Sequence, residues 1–217
     1  MIPTGLLGGS FNPAHGGHRA ISLNAIDALG LGELWWLVSP GNPLKPKAGM
    51  APLPARLASA QRAARRSLIR PTTIEAELGT RYTIDTLRKL VRRYPERRFI
   101  WIMGADNLAQ LPEWRDWRGI ARLMPIAVIA RPGYNDRAHA RRAMGWLRRF
   151  VRPADHKLHW TDWRPPALVF LRFSPDVRSA TAIRQANPRW FERYEGRAMR
   201  DPLTRSRLVD TNRKGRI

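Results

Sequence analysis

Short runs of apolar residues alternate with amphipathic stretches along most of the chain. The apolar runs lie at residues 6–7, 34–38, 72–75, 98–103, 125–130 and 167–170, the third being the weakest. Most of them are four to six residues long and nearly continuous, which is typical of strands buried on both faces. The pattern therefore predicts a sheet that is covered on its two sides.

Between these runs, apolar residues recur at the three- and four-residue spacing of amphipathic helices. One predicted stripe is Ile21, Ala25 and Leu29; a second is Leu57, Ala60, Ala64 and Leu68, with Arg56, Arg62, Arg65 and Arg66 turned outward; a third is Ile84, Leu87, Val91 and Tyr94, with Thr83 as its N-cap. A fourth helix, strongly basic, is predicted between residues 136 and 152, with Met144 and Leu147 on its inner face.

Alternating strands and helices predict an α/β fold, a Rossmann-like doubly wound parallel sheet with right-handed crossovers and a small C-terminal helical portion. We expect residues 1–190 to form the main domain. Residues 191–217 are expected to form a C-terminal helix and a basic tail rather than a separate domain. In this architecture a ligand binds at the carboxyl ends of the strands, near the point where strand order reverses.

Charge and composition narrow the classes of function. The 217 residues contain no cysteine, which excludes a disulfide scaffold, a thiolate metal site and a cysteine nucleophile. The net charge of +22 attracts phosphates, either small or polymeric. Only five of the 39 basic residues are lysine, however, and this imbalance is as typical of arginine-favouring codon usage as of function. Because neither a signal-peptide start nor an apolar run of about 18 residues is present, we expect a cytoplasmic protein.

The segment from residue 8 to residue 18 reads Gly-Gly-Ser-Phe-Asn-Pro-Ala-His-Gly-Gly-His, where the first strand ends and the first helix begins. Its glycines permit a sharp turn and close approach to a ligand, and the helix-start amides that follow favour phosphate. His15 and His18 share a helical face and can stabilise charge on phosphoryl oxygens. A zinc site is disfavoured because no third ligand is evident. His156 and His159 have the same spacing but lack this context, so we expect no direct role for them.

A second candidate site for anions lies near the other end of the chain. Ser179 or Thr181 can cap a predicted helix there, and Arg184 follows one turn later. Such a pattern is common by itself in an arginine-rich protein. It becomes informative only if the fold brings it opposite the first motif.

Together these two motifs resemble the H-x-G-H superfamily of nucleotidylyltransferases. Residues 82–87 (Tyr-Thr-Ile-Asp-Thr-Leu), residues 103–107 (Met-Gly-Ala-Asp-Asn) with Leu111 and Trp114 after them, and residues 131–133 (Arg-Pro-Gly) resemble motifs of the bacterial nicotinate-nucleotide adenylyltransferases. The resemblance extends from residue 5 to about residue 190. Two departures are Ala180, where relatives often have a second serine, and Arg178, at a position that is commonly apolar.

The resemblance implies adenylyl transfer from ATP to nicotinate mononucleotide, which gives nicotinate adenine dinucleotide and pyrophosphate in NAD biosynthesis. In this family the acceptor's phosphate attacks the α-phosphorus in line, so no covalent enzyme intermediate is formed. By resemblance, His15 and His18 are the catalytic residues and contact the ATP phosphates, and Asp106 lies in the central cleft near the ribose or the reacting groups. The remaining ATP-binding residues that it implies are Gly8, Ser10, Phe11, Ser179, Thr181 and Arg184.

The acceptor side can also be argued from chemistry. An electron-poor pyridine stacks well on an indole, and Trp114 matches the family's stacking position, although Trp117 is an unresolved neighbour. Thr83, at a helix start, offers a hydroxyl and nearby amides to the nicotinate carboxylate, which a helix N-terminus prefers over a neutral amide. Arg131 and Lys45 are further candidates for binding a substrate phosphate. Trp35, Trp36 and Trp101 are expected in the core.

The chemistry implies Mg²⁺, carried mainly by ATP oxygens and water because no carboxylate cluster forms a metal site in the sequence. Two other functions stay open. One is adenylyl transfer to another acceptor, either nicotinamide mononucleotide or phosphopantetheine. The other is a nucleic-acid-binding protein of the same fold, which the charge and the basic helix favour, although nucleic acid is not expected as a specific partner. The sequence does not decide whether the chain forms a homo-oligomer.

Overall fold

A six-stranded parallel sheet organises the protein in this computed structural model, which describes residues 1–41, 49–130, 142–173, 179–194 and 199–208. The strands are β1 (Ile2–Gly9), β2 (Glu33–Val38), β3 (Ile69–Thr72), β4 (Arg97–Gly104), β5 (Ile126–Ala130) and β6 (Leu168–Arg172). Their order is β3-β2-β1-β4-β5-β6, so strand order reverses between β1 and β4. The predicted doubly wound sheet is confirmed, and a ligand crevice is expected at the carboxyl ends of β1 and β4.

Helices cover both faces of the sheet. They are α1 (Gly16–Leu29), α2 (Leu53–Ala63), α3 (Ile74–Glu77), α4 (Thr83–Arg93), α5 (Ala105–Gln110), α6 (Trp117–Leu123), α7 (Arg142–Leu147) and α8 (Ala180–Ala186). Short 3₁₀ segments lie at Leu111–Glu113, Arg148–Phe150, Ala154–Asp162 and Glu192–Tyr194. No helix within the described ranges is both long enough and apolar enough to span a bilayer.

The two faces of the sheet explain why the apolar runs are continuous. Successive residues of a strand point to opposite faces, so a strand covered on both sides needs apolar residues at every position. Trp35 packs in the cluster that contains Leu87 of α4, whereas Trp36 packs in the opposite cluster with Leu29 of α1. Both tryptophans are fully buried, and Trp101 is 3% exposed, which confirms that all three belong to the core.

The third strand and two helical stripes differ from the prediction. Residues 72–75 are not a strand: β3 ends at Thr72, and Ile74 begins α3. The reason is that the buried carboxylate of Asp201 accepts hydrogen bonds from the Thr73 amide and hydroxyl. Because the amide is bound there, it cannot continue the hydrogen-bond ladder of the sheet. Leu68 is exposed because α2 ends at Ala63, and Leu90 takes the buried position predicted for Val91.

Arg56 was predicted to face outward but is 1% exposed. Its guanidinium turns inward because carbonyl oxygens of three neighbouring loops accept its hydrogen bonds, which stabilise a buried charge. By contrast Arg62, Arg65 and Arg66 are exposed as expected. In the basic region, residues 131–141 lie outside the described part, and Met144 and Leu147 of α7 are buried as predicted.

The C-terminal segment packs across α2 and the end of β3. Trp190 and Tyr194 form a small cluster with Ala51, Ala55 and Ala58. The helix predicted within residues 191–217 is represented in the described residues by one 3₁₀ turn, followed by an antiparallel pair, β7 (Met199–Arg200) and β8 (Arg207–Leu208). The tight turn of this pair is fixed by Asp201, whose carboxylate also accepts the amides of Leu203 and Thr204. Residues 209–217 lie outside the described part.

Candidate active site

The first motif forms the turn between β1 and α1. His15 is the N-cap of α1, and its Nδ1 accepts the amide of Gly17 at 3.1 Å. In return, Nδ1 of His18 accepts the amide of His15 at 3.3 Å, so the two histidines form a reciprocal capping box. Their ring centroids are 3.9 Å apart. The predicted juxtaposition of the two imidazoles is therefore confirmed, with His15 one step outside the helix.

This capping box also fixes which ring nitrogen carries a proton. A neutral imidazole nitrogen that accepts a hydrogen bond is unprotonated, so in each neutral ring the proton is on Nε2. Nε2–H is the donor that each ring can offer to a phosphoryl oxygen. The sequence spacing placed the rings together, but only the backbone contacts define these tautomers.

An aromatic layer supports the second histidine from below. Phe11 stacks on Trp36 with centroids 4.9 Å apart, and His18 lies 4.9 Å from Phe11. Trp36 is held in turn by a hydrogen bond of 2.8 Å from its Nε1 to Ser22. The Phe11 side chain is 2% exposed, so it supports the site from the core instead of lining it as predicted. Its backbone has φ of 46°, a left-handed conformation that is uncommon outside glycine.

The second motif lies directly against the first. Ser179 caps α8 by accepting the amide of Ala182 at 3.1 Å. Arg184 donates from Nη2 to the Thr181 hydroxyl at 3.2 Å and from Nη1 to the carbonyl of Asn12 at 2.7 Å. Asn12 belongs to the turn of the first motif, 172 residues away in sequence. The fold thus brings the two predicted phosphate-binding motifs together, so the second motif is informative as well as the first.

A cleft of about 170 Å³ opens at the carboxyl ends of β1, β2 and β4. It contains four of the predicted site residues: Gly8, Ser10, Thr83 and Trp114. Gly8 is required here for packing, because a Cβ atom would come within 2.7 Å of Cη2 of Trp101. The other residues of its lining are Gly9, Ser39, Gly41, Met50, Glu75, Arg81, Tyr82, Trp101, Asn107, Glu113 and Arg115.

The two candidate stacking residues are distinguished by their positions. Trp114 lines the cleft and forms a T-shaped contact with Trp101, with ring centroids 6.3 Å apart at 76°. Trp117, the first residue of α6, packs against Trp146 of α7 with centroids 5.5 Å apart. Trp117 is not among the residues that line the cleft. Of the two, Trp114 is therefore the indole available to a ring bound in the cleft.

The start of α4 forms one wall of this cleft. Tyr82 is the N-cap residue and Thr83 is the first residue of the helix, so Thr83 does not cap it as predicted. The difference arises because the Tyr82 carbonyl accepts the first helical amides, those of Asp85 and Thr86. The guanidinium of Arg115 lies 4.7 Å from the centroid of the Tyr82 ring, and that of Arg81 lies 5.9 Å from it. Two guanidinium groups thus lie beside a helix N-terminus in the cleft, and that of Arg115 also forms an ion pair with Asp85 at 3.5 Å.

Glu75 brings a carboxyl group to the same cleft. Burial raises the pKa of this group to about 6, although hydrogen bonds from the Ser39 and Thr86 hydroxyls act in the opposite direction. Oε1 of Glu75 lies 3.4 Å from the Thr86 hydroxyl. The carboxyl group therefore changes its charge around pH 6.

Three predicted site residues remain: Asp106, Lys45 and Arg131. Asp106 is exposed at the second position of α5, at the carboxyl end of β4, and its neighbour Asn107 is the residue that lines the cleft. Lys45 and Arg131 lie outside the described residues. Within the described ranges, no group of three or more His, Cys, Asp or Glu side chains is arranged to hold a metal ion.

Sequence reasoning missed Glu75, which is partly buried and lines the cleft, and Arg56, which is buried beside it. Glu75 was assigned to a strand because it follows Thr-Thr-Ile, and Arg56 was assigned to the polar face of a helix that carries several arginines. Tyr82 belongs to one of the predicted motifs, but the sequence assigns it no role. Nothing in the local pattern of this one sequence distinguishes Arg56 from Arg62.

Comparison with known proteins agrees with this architecture. The cytidylyltransferase-like family model matches residues 6–186. A curated nicotinate-nucleotide adenylyltransferase of Erythrobacter litoralis is 61% identical over 203 residues, which are 94% of this chain and 93% of that protein. One of the same name from Parvibaculum lavamentivorans is 50% identical over 184 residues, 85% of this chain and 92% of that one.

Among solved structures, the nicotinic acid mononucleotide adenylyltransferase of Plasmodium falciparum complexed with NaAD superposes with a TM-score of 0.61 at 15% identity. The superposition covers 85% of this chain and 83% of that one. The same enzyme complexed with APC gives a TM-score of 0.58 over the same shares of the two chains, also at 15% identity. At this identity the likeness shows a common fold.

Proposed function

The chain belongs to the nicotinate-nucleotide adenylyltransferases, within the cytidylyltransferase-like proteins, and from this premise we propose how its cleft performs the reaction. The protein transfers the adenylyl group of ATP to nicotinate mononucleotide and releases pyrophosphate. A phosphate oxygen of the mononucleotide forms the new bond to the α-phosphorus. The bond from the α-phosphorus to the bridging oxygen breaks, and pyrophosphate leaves with that electron pair.

Such a displacement needs positioning and charge stabilisation but no protein nucleophile. Negative charge grows on the leaving pyrophosphate, and the Nε2–H groups of His15 and His18 are suited to donate to its oxygens. The amides at the start of α1 add the positive end of the helix dipole. Arg184, Ser179 and Thr181 bring a second set of donors to the same turn. The single observation that carries this proposal is the contact of Arg184 with the Asn12 carbonyl, which joins the two motifs.

The acceptor binds on the opposite side of the cleft in this proposal. The face of Trp114 stacks on the pyridine ring, and Thr83 with the first amides of α4 receives its carboxylate. A carboxylate is favoured there over a neutral carboxamide, because a helix N-terminus and the guanidinium groups of Arg81 and Arg115 all attract negative charge. Asp106, Arg131 and Lys45 are further candidates for contacts with the nucleotides.

Magnesium accompanies ATP in this chemistry. The described residues offer no cluster of carboxylates to hold the ion, so ATP oxygens and water are its ligands in the proposal. When bound, the metal neutralises charge on the phosphates. The chain's own contribution is to orient those phosphates and to donate to them.

The proposal is tested by measuring pyrophosphate release from ATP with three acceptors: nicotinate mononucleotide, nicotinamide mononucleotide and phosphopantetheine. We expect nicotinate mononucleotide to have the highest kcat/KM and to yield nicotinate adenine dinucleotide. A kcat/KM for nicotinamide mononucleotide that equals or exceeds it would overturn the assignment of the acceptor. Absence of release with all three would overturn adenylyl transfer to these acceptors. Salt-resistant binding to RNA or DNA would then favour the nucleic-acid alternative.

A further inference from the structure

Arg56 connects three loops that border the cleft. It lies in the first turn of α2 and is 1% exposed. Its Nε donates to the carbonyl of Ala51 at 2.9 Å, just before the helix. Its Nη1 donates to two backbone carbonyls: that of Ser10, which follows β1, at 2.9 Å, and that of Ser39, which follows β2, at 2.6 Å. Nη2 reaches the carbonyl of Pro40 at 3.3 Å.

These partners hydrogen-bond to Arg56 but bring no negative charge to it. All of the oxygens that accept from it are neutral carbonyls, and no carboxylate of the described residues lies within ion-pair distance of its guanidinium. Burial lowers the pKa of Arg56 to about 10, so the group still carries its charge at neutral pH. A buried cation beside a cleft raises the electrostatic potential there, because little solvent screens it. An anion bound nearby is therefore favoured.

The same hydrogen bonds set the direction of two peptide groups. In a planar trans peptide the C=O and N–H bonds point in opposite directions. Because the carbonyls of Ser10 and Pro40 turn toward Arg56, the amides of Phe11 and Gly41 turn away from it. Ser10 and Gly41 both line the cleft. Neither of the two amides donates to a backbone carbonyl of another described residue.

We propose that Arg56 is a positioning residue for the phosphates of the nucleotide. It fixes the two peptide groups whose Phe11 and Gly41 amides point away from its guanidinium, and it supplies a positive charge beside the cleft. Arg184 holds the same turn two residues later, at the carbonyl of Asn12. This inference rests on the proposed function, because a nucleotide triphosphate is the anion that the cleft receives. It adds a residue that makes no direct contact with the substrate.

The test compares Arg56→Gln, Arg56→Lys and the control Arg62→Gln, which changes an exposed arginine of the same helix. Inorganic pyrophosphate is the probe, and its dissociation constant and stoichiometry are measured by calorimetry with each full-length protein. Thermal unfolding gives the folded fraction. kcat and the KM for ATP are measured alongside. If the wild-type protein releases no pyrophosphate from ATP, the proposed function fails, but the binding comparison still tests Arg56.

We expect Arg56→Gln to weaken pyrophosphate binding at least tenfold in the folded fraction, and Arg62→Gln to change it less than twofold. Arg56→Lys restores the charge and most of that affinity. The kcat of Arg56→Lys stays at least tenfold below that of the wild-type protein, because one ammonium group cannot bridge the three loops. Unchanged pyrophosphate affinity of folded Arg56→Gln, with only its stability reduced, would show a purely structural role and overturn the proposal. If Arg56→Gln does not fold, a kcat of Arg56→Lys equal to that of the wild-type protein would also overturn the proposal.

Discussion

Replacing Glu75 by glutamine removes a carboxyl group that the fold makes harder to ionise. Burial raises its pKa from 4.5 to about 6. Because the folded pKa lies above the unfolded one, the folded state favours the neutral acid. Stability is therefore lost as the pH rises from below 4.5 through 6, and the loss is complete above that window. Glutamine keeps the shape and can still accept from the Ser39 and Thr86 hydroxyls, but it cannot ionise.

The size of the effect follows from the two pKa values. A difference of 1.5 pKa units corresponds to about 2 kcal/mol, so Glu75→Gln should stabilise the protein by about 2 kcal/mol at pH 8. The same relation gives about 0.8 kcal/mol at pH 5 and about 0.2 kcal/mol at pH 4. The dependence of this difference on pH is the sharper expectation.

Urea unfolding of the wild-type protein and Glu75→Gln at several pH values between 4 and 8 measures this difference. Glu77→Gln is the matched control, because Glu77 forms a surface ion pair with Arg93 at 2.7 Å. Loss of this ion pair should destabilise the protein by up to about 0.5 kcal/mol near neutral pH. The effect of Glu77→Gln is thus opposite in sign to that of Glu75→Gln. A difference for Glu75→Gln that is constant with pH, or a destabilisation at pH 8, would refute the reasoning.

Three further substitutions test other parts of the account. His18→Ala should lower kcat by about 10² or more, because a transition-state donor is lost, while circular dichroism shows a retained fold; a wild-type kcat would exclude that role. Trp114→Ala should raise the KM for nicotinate mononucleotide by about 5- to 150-fold, from a stacking energy of about 1–3 kcal/mol. Trp117→Ala is its control, and a larger effect there would reverse the assignment. Asp201→Ala should destabilise the protein by about 3 kcal/mol in urea, because the Thr72 and Thr73 hydroxyls lose a buried acceptor; a loss below 1 kcal/mol would contradict this.

The strands were predictable because their physical requirement is local. A strand buried on both faces needs apolar side chains at successive positions, and Trp35 with Trp36 satisfies this on opposite sides of β2. The third strand was misplaced because its end is set by a distant residue. Asp201, 128 positions away, takes the Thr73 amide and stops the ladder, and no window around residues 72–75 contains that information.

In the site, too, features that depend on neighbouring residues could be predicted, and features that depend on distant residues could not. The glycine turn and the two histidines could be identified from their spacing, since capping geometry depends on neighbours within one turn. The inward turn of Arg56 could not be predicted, because the carbonyls that hold it come from loops after two other strands. The choice between Trp114 and Trp117 also needed the fold, since their roles depend on which ring α7 covers.

The stereochemical course at the α-phosphorus tests the central claim most directly. ATP with one non-bridging α-oxygen replaced by sulfur, as a single diastereomer, is incubated with the enzyme and nicotinate mononucleotide. The configuration of the thio-dinucleotide is then determined by phosphorus NMR. Direct attack by the acceptor's phosphate in this cleft predicts inversion. Retention of configuration would require a covalent enzyme intermediate and would contradict the account.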